Sequence, residues 1–193
     1  MNLVDRQIMS LCQGEVHPDI RVFYDRVGWF DCPSCVTPLV EGCHPKVNPA
    51  SLEIHVGETA KMRGQRLDGT VQWFDVPLAD FSEEAPYLMR PGETVLLSAQ
   101  EKVNMPTFLA GQFRLKSSRG RELYEHLEAG FFDPGYSGIP TLELINHDLV
   151  PLPLYPGLAI GQLVLTLTLG CPDRDYRVTG RYNGDTTAQE SKG

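Results

Sequence analysis

The apolar residues of this chain come in short runs, and turn-forming residues such as glycine and proline separate one run from the next. The clearest runs are residues 51–56, 70–74, 93–97, 141–145 and 158–169. Short strands bounded by turns are typical of all-β domains. A chain of 193 residues can bury a substantial core but is too short for two ordinary domains. The sequence therefore predicts one mainly β domain with one or two short helices.

The segments outside these runs predict less regular structure. Ile8 and Leu11, followed by Gly14, predict a short helix over residues 5–11 with Asp5 as its N-cap. Residues 16–48 are rich in proline, which predicts an irregular, extended segment rather than a helical one. Residues 120–128 have apolar spacing that fits a helical turn. Residues 171–193 lack a hydrophobic pattern and predict a flexible C-terminal tail.

Charge and composition restrict the partners and the compartment. The formal charge of −8 argues against nucleic acids and anionic membranes, because binding to either depends on basic surface. No run approaches the ~20 apolar residues of a membrane span, and the N-terminus lacks the layout of a signal peptide. Five cysteines, an odd number, fit a reducing compartment better than a disulfide framework. We therefore expect a cytoplasmic protein.

A cationic loop stands out in this acidic chain. Residues 114–121 carry Arg114, Lys116, Arg119 and Arg121 around two hydroxyls, Ser117 and Ser118. Charge-assisted hydrogen bonds from such side chains suit a polyanion such as a triphosphate. The alternative is an ordinary solvated loop.

One carboxylate lies inside a predicted strand. Since side chains alternate along a strand, Leu142 and Leu144 should face one way and Glu143 the other. A carboxylate in that place lies at a sheet surface or in a pocket. The preceding Asp133-Pro134-Gly135 predicts a tight turn, because proline presets φ and glycine permits the reversal.

Five short blocks follow one another in the second half of the chain: RPGE at 90–93, KSSRGR at 116–121, AGFFDPGY at 129–136, TLEL at 141–144 and YPGLAIGQL at 155–163. In order and spacing they resemble the dCTP deaminase branch of the dUTPase-like superfamily. The resemblance implies a distorted β-barrel or jelly roll over residues 1–170 and a homotrimer with active sites at subunit interfaces. It also implies dCTP as substrate with Mg²⁺ bound to its triphosphate rather than to protein ligands, dTTP as a feedback inhibitor, and a tail over residues 171–193 that closes the site.

The resemblance also assigns roles to residues at matching positions. Glu143 would be the catalytic proton shuttle, with Arg121 and Ser117 holding the attacking water. The implied substrate-binding residues are Lys116, Ser118, Arg119, Ala129, Asp133, Thr141, Leu142, Gln162, Tyr176, Arg181, Tyr182 and Asp185. Three positions depart from the family pattern. Glu53 replaces an aspartate, Glu128 replaces a small or hydroxylated residue, and Asp185 puts an anion where a glutamine would contact phosphate.

The implied reaction is hydrolytic deamination of dCTP to dUTP and ammonia. A dUTP diphosphatase and a bifunctional enzyme that converts dCTP to dUMP use the same motifs. Gly135 stands where a diphosphatase has a second aspartate, which favours deamination. From a different class, the chain could be a non-catalytic nucleotide-binding regulator whose tail is disturbed by Asp185.

Zinc-dependent deaminases use a different pattern, H-x-E followed by P-C-x-x-C. Here His126-Leu127-Glu128 follows Cys32-Pro33-Ser34-Cys35, and no proline precedes Cys32, so we expect zinc-independent catalysis. A structural zinc on Cys32, Cys35, Cys43 and His44 stays open beside the alternative of free thiols.

Overall fold

The structure is a computed structural model that describes residues 1–28 and 36–193. Its helices are α1 (Asp5–Cys12), α2 (Pro18–Arg26), α3 (Ser117–Arg121) and α4 (Tyr176–Thr179), and a 3₁₀ turn covers Leu78–Asp80. Its strands are β1 (Val40–Glu41), β2 (Val47–Asn48), β3 (Ser51–Gln65), β4 (Val71–Pro77), β5 (Tyr87–Met89), β6 (Thr94–Ala99), β7 (Lys102–Asn104), β8 (Leu109–Leu115), β9 (Tyr124–His126), β10 (Phe131–Phe132), β11 (Ser137–Gly138), β12 (Thr141–Asn146), β13 (Leu152–Leu154) and β14 (Ala159–Leu167). The mainly β prediction is confirmed.

The longest strand, β3, holds the main sheet together. The order of that sheet is β10-β8-β14-β3-β6-β12-β9, with β2 and β4 also paired to β3. The first half of β3 pairs with β14 and the second half with β6, and the register shifts between Val56 and Ala60. Gly57 lies in this irregularity, where a Cβ atom would come within 2.5 Å of the Ala99 carbonyl oxygen. One strand thereby joins two halves of a curled sheet.

Smaller sheets and the first two helices complete the fold. The minor sheets have the orders β1-β7-β11 and β13-β5. Apolar residues of β3, β6, β8, β12 and β14 form one core, to which α1 and α2 add Ile8, Leu11, Ile20 and Tyr24. The Tyr24 hydroxyl donates to the carbonyl oxygens of Phe108 and Thr168 at 2.9 and 2.8 Å. No helix within the described ranges is long and apolar enough to cross a membrane.

Helix α2 contradicts the prediction that residues 16–48 are extended and not helical. Pro18 lies at the start of the helix, where its missing N–H costs nothing, and His17 Nδ1 accepts a hydrogen bond from the Asp19 N–H at 3.2 Å. Ile20 and Tyr24, one turn apart, are both buried. Proline at this position begins a helix rather than preventing one. The N-cap assignment at the first helix is also wrong, since Val4 is the N-cap of α1 and Asp5 lies in its first turn.

The predicted helical turn over residues 120–128 is also wrong. Helix α3 ends at Arg121, Leu123 adopts a left-handed φ of 64°, and β9 follows. Tyr124 and His126 are buried while Glu125 is exposed, which is the alternation of a strand. Cys32 and Cys35 lie outside the described residues, so the structural zinc hypothesis stays a prediction.

Candidate active site

A cavity of about 520 Å³ lies beside the first half of β12. Strand β12 contributes Thr141, Leu142 and Glu143, and the preceding segment contributes Ala129 and Asp133. Arg63 and Trp73 line it from the β3–β4 hairpin, where the Arg63 guanidinium carbon lies 5.2 Å from the Trp73 ring centroid. The C-terminal tail lines it with Tyr176, Tyr182, Asp185, Gln189, Glu190 and Ser191. The predicted alternation of β12 is confirmed, since Leu142 and Leu144 are buried and Glu143 is partly exposed to the cavity.

Glu143 has an unexpected neighbour in His126. Its Oε2 lies 3.3 Å from His126 Nε2, and the His126 ring packs against Phe113 with centroids 4.7 Å apart. Both atoms are buried and have no hydrogen-bond partner within the described part of the chain. Buried polar atoms are rarely left without partners. The arrangement therefore leaves a carboxylate and an imidazole available to a bound molecule.

The turn before β12 anchors the tail. Gly135 has φ of 86°, and the Tyr136 N–H donates to the Asp133 carbonyl oxygen at 3.1 Å, which confirms the predicted turn. A Cβ atom on Gly135 would lie 3.0 Å from the Asp175 side chain, so the turn and the tail both require glycine here. Tyr176 packs its ring 5.6 Å from that of Tyr136 and donates its N–H to the Pro134 carbonyl oxygen. Burial raises the pKa of the Tyr136 hydroxyl, and Asp185 adds to the effect.

The end of the tail crosses the strands of the site. The Ile139 N–H donates to the Asp185 carbonyl oxygen at 2.7 Å. The N–H groups of Ala188 and Gln189 donate to the hydroxyls of Thr59 and Thr141 at 3.1 and 2.9 Å. Ala188 is 2% exposed although it lies only five residues before Gly193, the last residue of this sequence. The tail therefore packs on its own chain's sheet, and one of its contacts uses Thr141, a predicted substrate-binding residue.

Asp185 is paired with a lysine of the tail itself. Lys192 Nζ donates to both of its carboxylate oxygens at 2.6 and 2.8 Å and lies 5.0 Å from the Tyr182 ring centroid. A lysine within the tail therefore neutralises the anion that replaces the expected glutamine.

The cationic loop faces away from the cavity. Lys116 is the N-cap of α3, and its Nζ donates to Glu53 Oε2. Arg119 pairs with Glu122 at 2.5 Å, while Ser117 and Arg121 are exposed. None of these loop residues is among the described residues that line the cavity. Within one chain, the predicted contact between Glu143 and this loop is not formed.

The predicted site residues thus divide into two groups. The cavity is lined by Ala129, Asp133, Thr141, Leu142, Glu143, Tyr176, Tyr182 and Asp185. The described lining does not include Lys116, Ser117, Ser118, Arg119, Arg121, Gln162 or Arg181. Gln162 instead accepts a hydrogen bond from the Ser51 hydroxyl at 2.9 Å, and the Arg181 carbonyl oxygen accepts one from Lys192.

Sequence reasoning missed several residues at the site, and three of them lie on strands. His126 was considered only in connection with zinc, although β9 pairs it with Leu144, next to Glu143. Arg63 and Trp73 meet because β3 continues nine residues beyond the predicted run and pairs with β4. Of the described residues that line the cavity, Arg63 is the only cation, against the carboxylates of Asp133, Glu143, Asp185 and Glu190.

Comparison with known proteins identifies the family. A family model described as dCTP deaminase-like matches residues 35–168. The chain belongs to the dCTP deaminase-like family. The family resemblance of the five sequence blocks is thereby confirmed.

Relatives of this dCTP deaminase-like chain include two bacterial proteins named "dCTP deaminase, dUMP-forming". The one from Streptomyces coelicolor is 37% identical over 147 residues, which are 72% of this chain and 77% of the relative. The one from Corynebacterium diphtheriae is 47% identical over 119 residues, which are 60% of this chain and 64% of the relative.

A solved structure shares the fold. It is the crystal structure of 2'-deoxycytidine 5'-triphosphate deaminase from Agrobacterium tumefaciens, with a TM-score of 0.61 and 18% identity. The match covers 86% of this chain and 48% of the Agrobacterium chain, so this chain spans about half of that length. At this identity the likeness shows the fold alone.

Proposed function

We propose that this protein hydrolytically deaminates dCTP and releases dUMP as its final product. The observation that carries the proposal is Glu143, whose partly buried carboxylate lies in a cavity next to His126 and has an oxygen without a hydrogen-bond partner in the described chain. The family membership and the names of the relatives support dCTP as the substrate.

In the proposed mechanism Glu143 moves protons. It takes a proton from the water that attacks C4 of cytosine and delivers it to N3. It then takes the proton of the new C4 hydroxyl and gives it to the amine, which leaves as ammonia while the C4 carbonyl forms. His126, 3.3 Å away, would fix the orientation of the carboxylate. A single carboxylate with one nearby imidazole can perform every proton transfer that this reaction needs. In this proposal the deamination step uses no zinc.

The triphosphate requires positive charge that this cavity lacks. Arg63 is the only cation in the described lining. Lys192 pairs with Asp185 and Lys61 with Glu190, so four phosphate charges would still meet the carboxylates of Asp133 and Glu143. The exposed loop with Ser117 and Arg121 points elsewhere on the same chain. A neighbouring copy could supply that loop, since cyclic oligomers bring different surfaces of identical subunits together. We therefore propose a homotrimer in which Glu143 of one subunit faces the cationic loop of the next.

Magnesium enters the proposal with the nucleotide. The oxygen-rich lining, with Asp133, Asp185 and Glu190, is compatible with a magnesium-bound triphosphate, because Mg²⁺ prefers oxygen ligands and keeps several waters. When bound, the ion would neutralise phosphate charge. The described chain supplies the other contacts, with Thr141 and Leu142 beside the base and Tyr176 and Tyr182 from the tail.

The names of the relatives favour dUMP over dUTP as the final product. The sequence alone favoured dUTP, because Gly135 occupies the place of a diphosphatase aspartate. Both relatives above are named as dUMP-forming, which favours the bifunctional alternative. The overall reaction then consumes one dCTP and two waters and yields dUMP, ammonia and diphosphate. Deamination that stops at dUTP is the second candidate, supported by Gly135.

The decisive experiment is a product analysis. Purified protein is incubated with dCTP and Mg²⁺, and ammonia, dUTP, dUMP and diphosphate are measured over time. Equal yields of ammonia and diphosphate with no accumulated dUTP are expected. Ammonia with accumulating dUTP would establish the second candidate. Tight dCTP binding without any ammonia would overturn the proposal in favour of a nucleotide-binding regulator.

A further inference from the structure

Behind the cationic loop, the structure buries a chain of charged side chains. Glu53, His55 and Glu101 are 8%, 7% and 2% exposed. His55 Nδ1 lies 2.6 Å from Glu101 Oε1, and His55 Nε2 lies 3.0 Å from Glu53 Oε1. The remaining oxygen of Glu53 accepts the hydrogen bond from Lys116, the first residue of the KSSRGR block. Glu101 is thus linked through His55 and Glu53 to the loop proposed to bind triphosphate.

The two contacts of His55 determine how many protons it carries. A neutral imidazole has one N–H and one lone pair, so it can donate to one of two flanking carboxylates only. The other ring nitrogen would face a carboxylate oxygen with no proton between them, which is costly in a buried place. Burial raises the pKa of Glu53, but the hydrogen bond and charge of Lys116 together with the charges of His55 and Lys46 outweigh burial and keep this pKa below its ordinary value. With Glu53 ionised, both contacts are satisfied by an imidazolium.

The other titratable groups around Glu53, His55 and Glu101 come from the segment between β1 and β2 and from the start of α3. Lys46, just before β2, lies 3.6 Å from Glu53 Oε1. Glu101 lies in the turn between β6 and β7, and its backbone contact is the His55 N–H, which donates to Oε2 at 3.0 Å. Cys43 lies close to Glu101. Burial raises the pKa of the Cys43 thiol, and the negative charge of Glu101 raises it further. Lys116 is therefore one of two lysines that share Glu53 with His55.

We propose that His55 and Glu101 are positioning residues for nucleotide binding, because the His55 imidazolium determines how strongly Glu53 retains Lys116. While His55 is protonated, it neutralises Glu53 and Glu101 together, and Lys116 can turn towards a phosphate. When His55 loses its proton, the negative charge of Glu53 is no longer shared with an imidazolium, and Lys116 stays on Glu53. Nucleotide affinity should then fall as the pH rises. The inference rests on the proposed contact between the 116–121 loop and the triphosphate.

The test compares pH profiles of KM for dCTP, from about pH 6 to about pH 9, because histidine protonation changes in this range. The KM of the unmutated protein for dCTP should rise by about tenfold across this range, because one charge-assisted hydrogen bond to the nucleotide is lost. His55→Arg carries a permanent charge and should flatten this rise. His55→Gln should have the high KM at every pH, and kcat should change little in either variant. His17→Asn, which removes a distant histidine but keeps a capping side chain, should match the parent.

A smaller substitution keeps the test independent of how well arginine packs. Glu101→Gln retains a hydrogen-bond acceptor for His55 but removes one carboxylate from the imidazolium, so the rise in KM should begin at lower pH. Parental KM profiles in both His55→Arg and Glu101→Gln would overturn the inference while leaving the proposed function intact. A parental protein that neither binds nor converts dCTP would overturn both.

Discussion

Replacing Glu143 with glutamine tests the proposed chemistry directly. The amide keeps the size of the side chain and can still lie near His126, but it cannot accept a proton from water. Losing a general acid–base group typically lowers the rate by about 10² to 10⁴. Because each tenfold change is about 1.4 kcal/mol, the barrier should rise by about 3 to 5 kcal/mol. Stability should not fall, since Glu143→Gln neutralises a buried oxygen that lacks a hydrogen-bond partner in the described chain.

The assay measures ammonia release, dCTP affinity by calorimetry and cleavage of dUTP on one preparation of the variant. Ammonia release should fall by at least a hundredfold, while affinity changes little. Glu125→Gln is the matched control, because Glu125 lies on the adjacent strand, is largely exposed and pairs with His147 at 2.8 Å. It should deaminate at the parental rate. If Glu143→Gln also deaminates at the parental rate, the proton-shuttle mechanism is refuted.

Three further predictions follow from other contacts. Arg121→Ala alone should be inactive. When it is mixed in equal amounts with Glu143→Gln, and the two variants are unfolded and reassembled together, about one quarter of the parental activity should return. The reason is that one interface in four then combines an intact Glu143 with an intact Arg121. No recovery would refute the interface site. Thr59→Val should speed proteolysis of the tail by about two- to tenfold, because the Ala188 N–H loses its acceptor; an unchanged cleavage rate would show that this contact does not hold the tail. The hydrogen bond from Arg177 lowers the pKa of Asp175, so tail protection from hydrogen exchange should persist near neutral pH and be lost as the pH falls below about 4. Asp175→Asn should remove that dependence, and an unaltered acid profile would contradict it.

The sequence by itself determined the class of fold and the face of β12 on which Glu143 lies. Alternation placed Leu142 and Leu144 in the core and left Glu143 on the opposite face, because side chains of a strand alternate whatever it pairs with. The turn at Asp133-Pro134-Gly135 also follows from local backbone preferences, since glycine supplies the positive φ. These features depend on residues within a few positions of one another.

Predictions from local sequence alone were wrong in two segments, residues 16–48 and 120–128. Proline content suggested an extended segment over 16–48, yet Pro18 begins α2 because Ile20 and Tyr24 find a core to pack against. The apolar spacing of residues 120–128 fits a helix, but pairing with β12 made residues 124–126 a strand. Burial and strand pairing outweigh local propensity when a partner surface is present.

Only the tertiary structure decided which side chains meet. His126 reaches Glu143 because β9 pairs with β12, and Glu53, His55 and Glu101 form one buried chain because β3 runs beside the turn that follows β6. The same folding holds Lys116 on Glu53 and turns the cationic loop away from Glu143 of its own chain. The contact between Glu53 and Lys116 joins residues 63 positions apart. The physical reason is that strand pairing and burial bring distant segments together, whereas periodicity and turn signals act only between near neighbours.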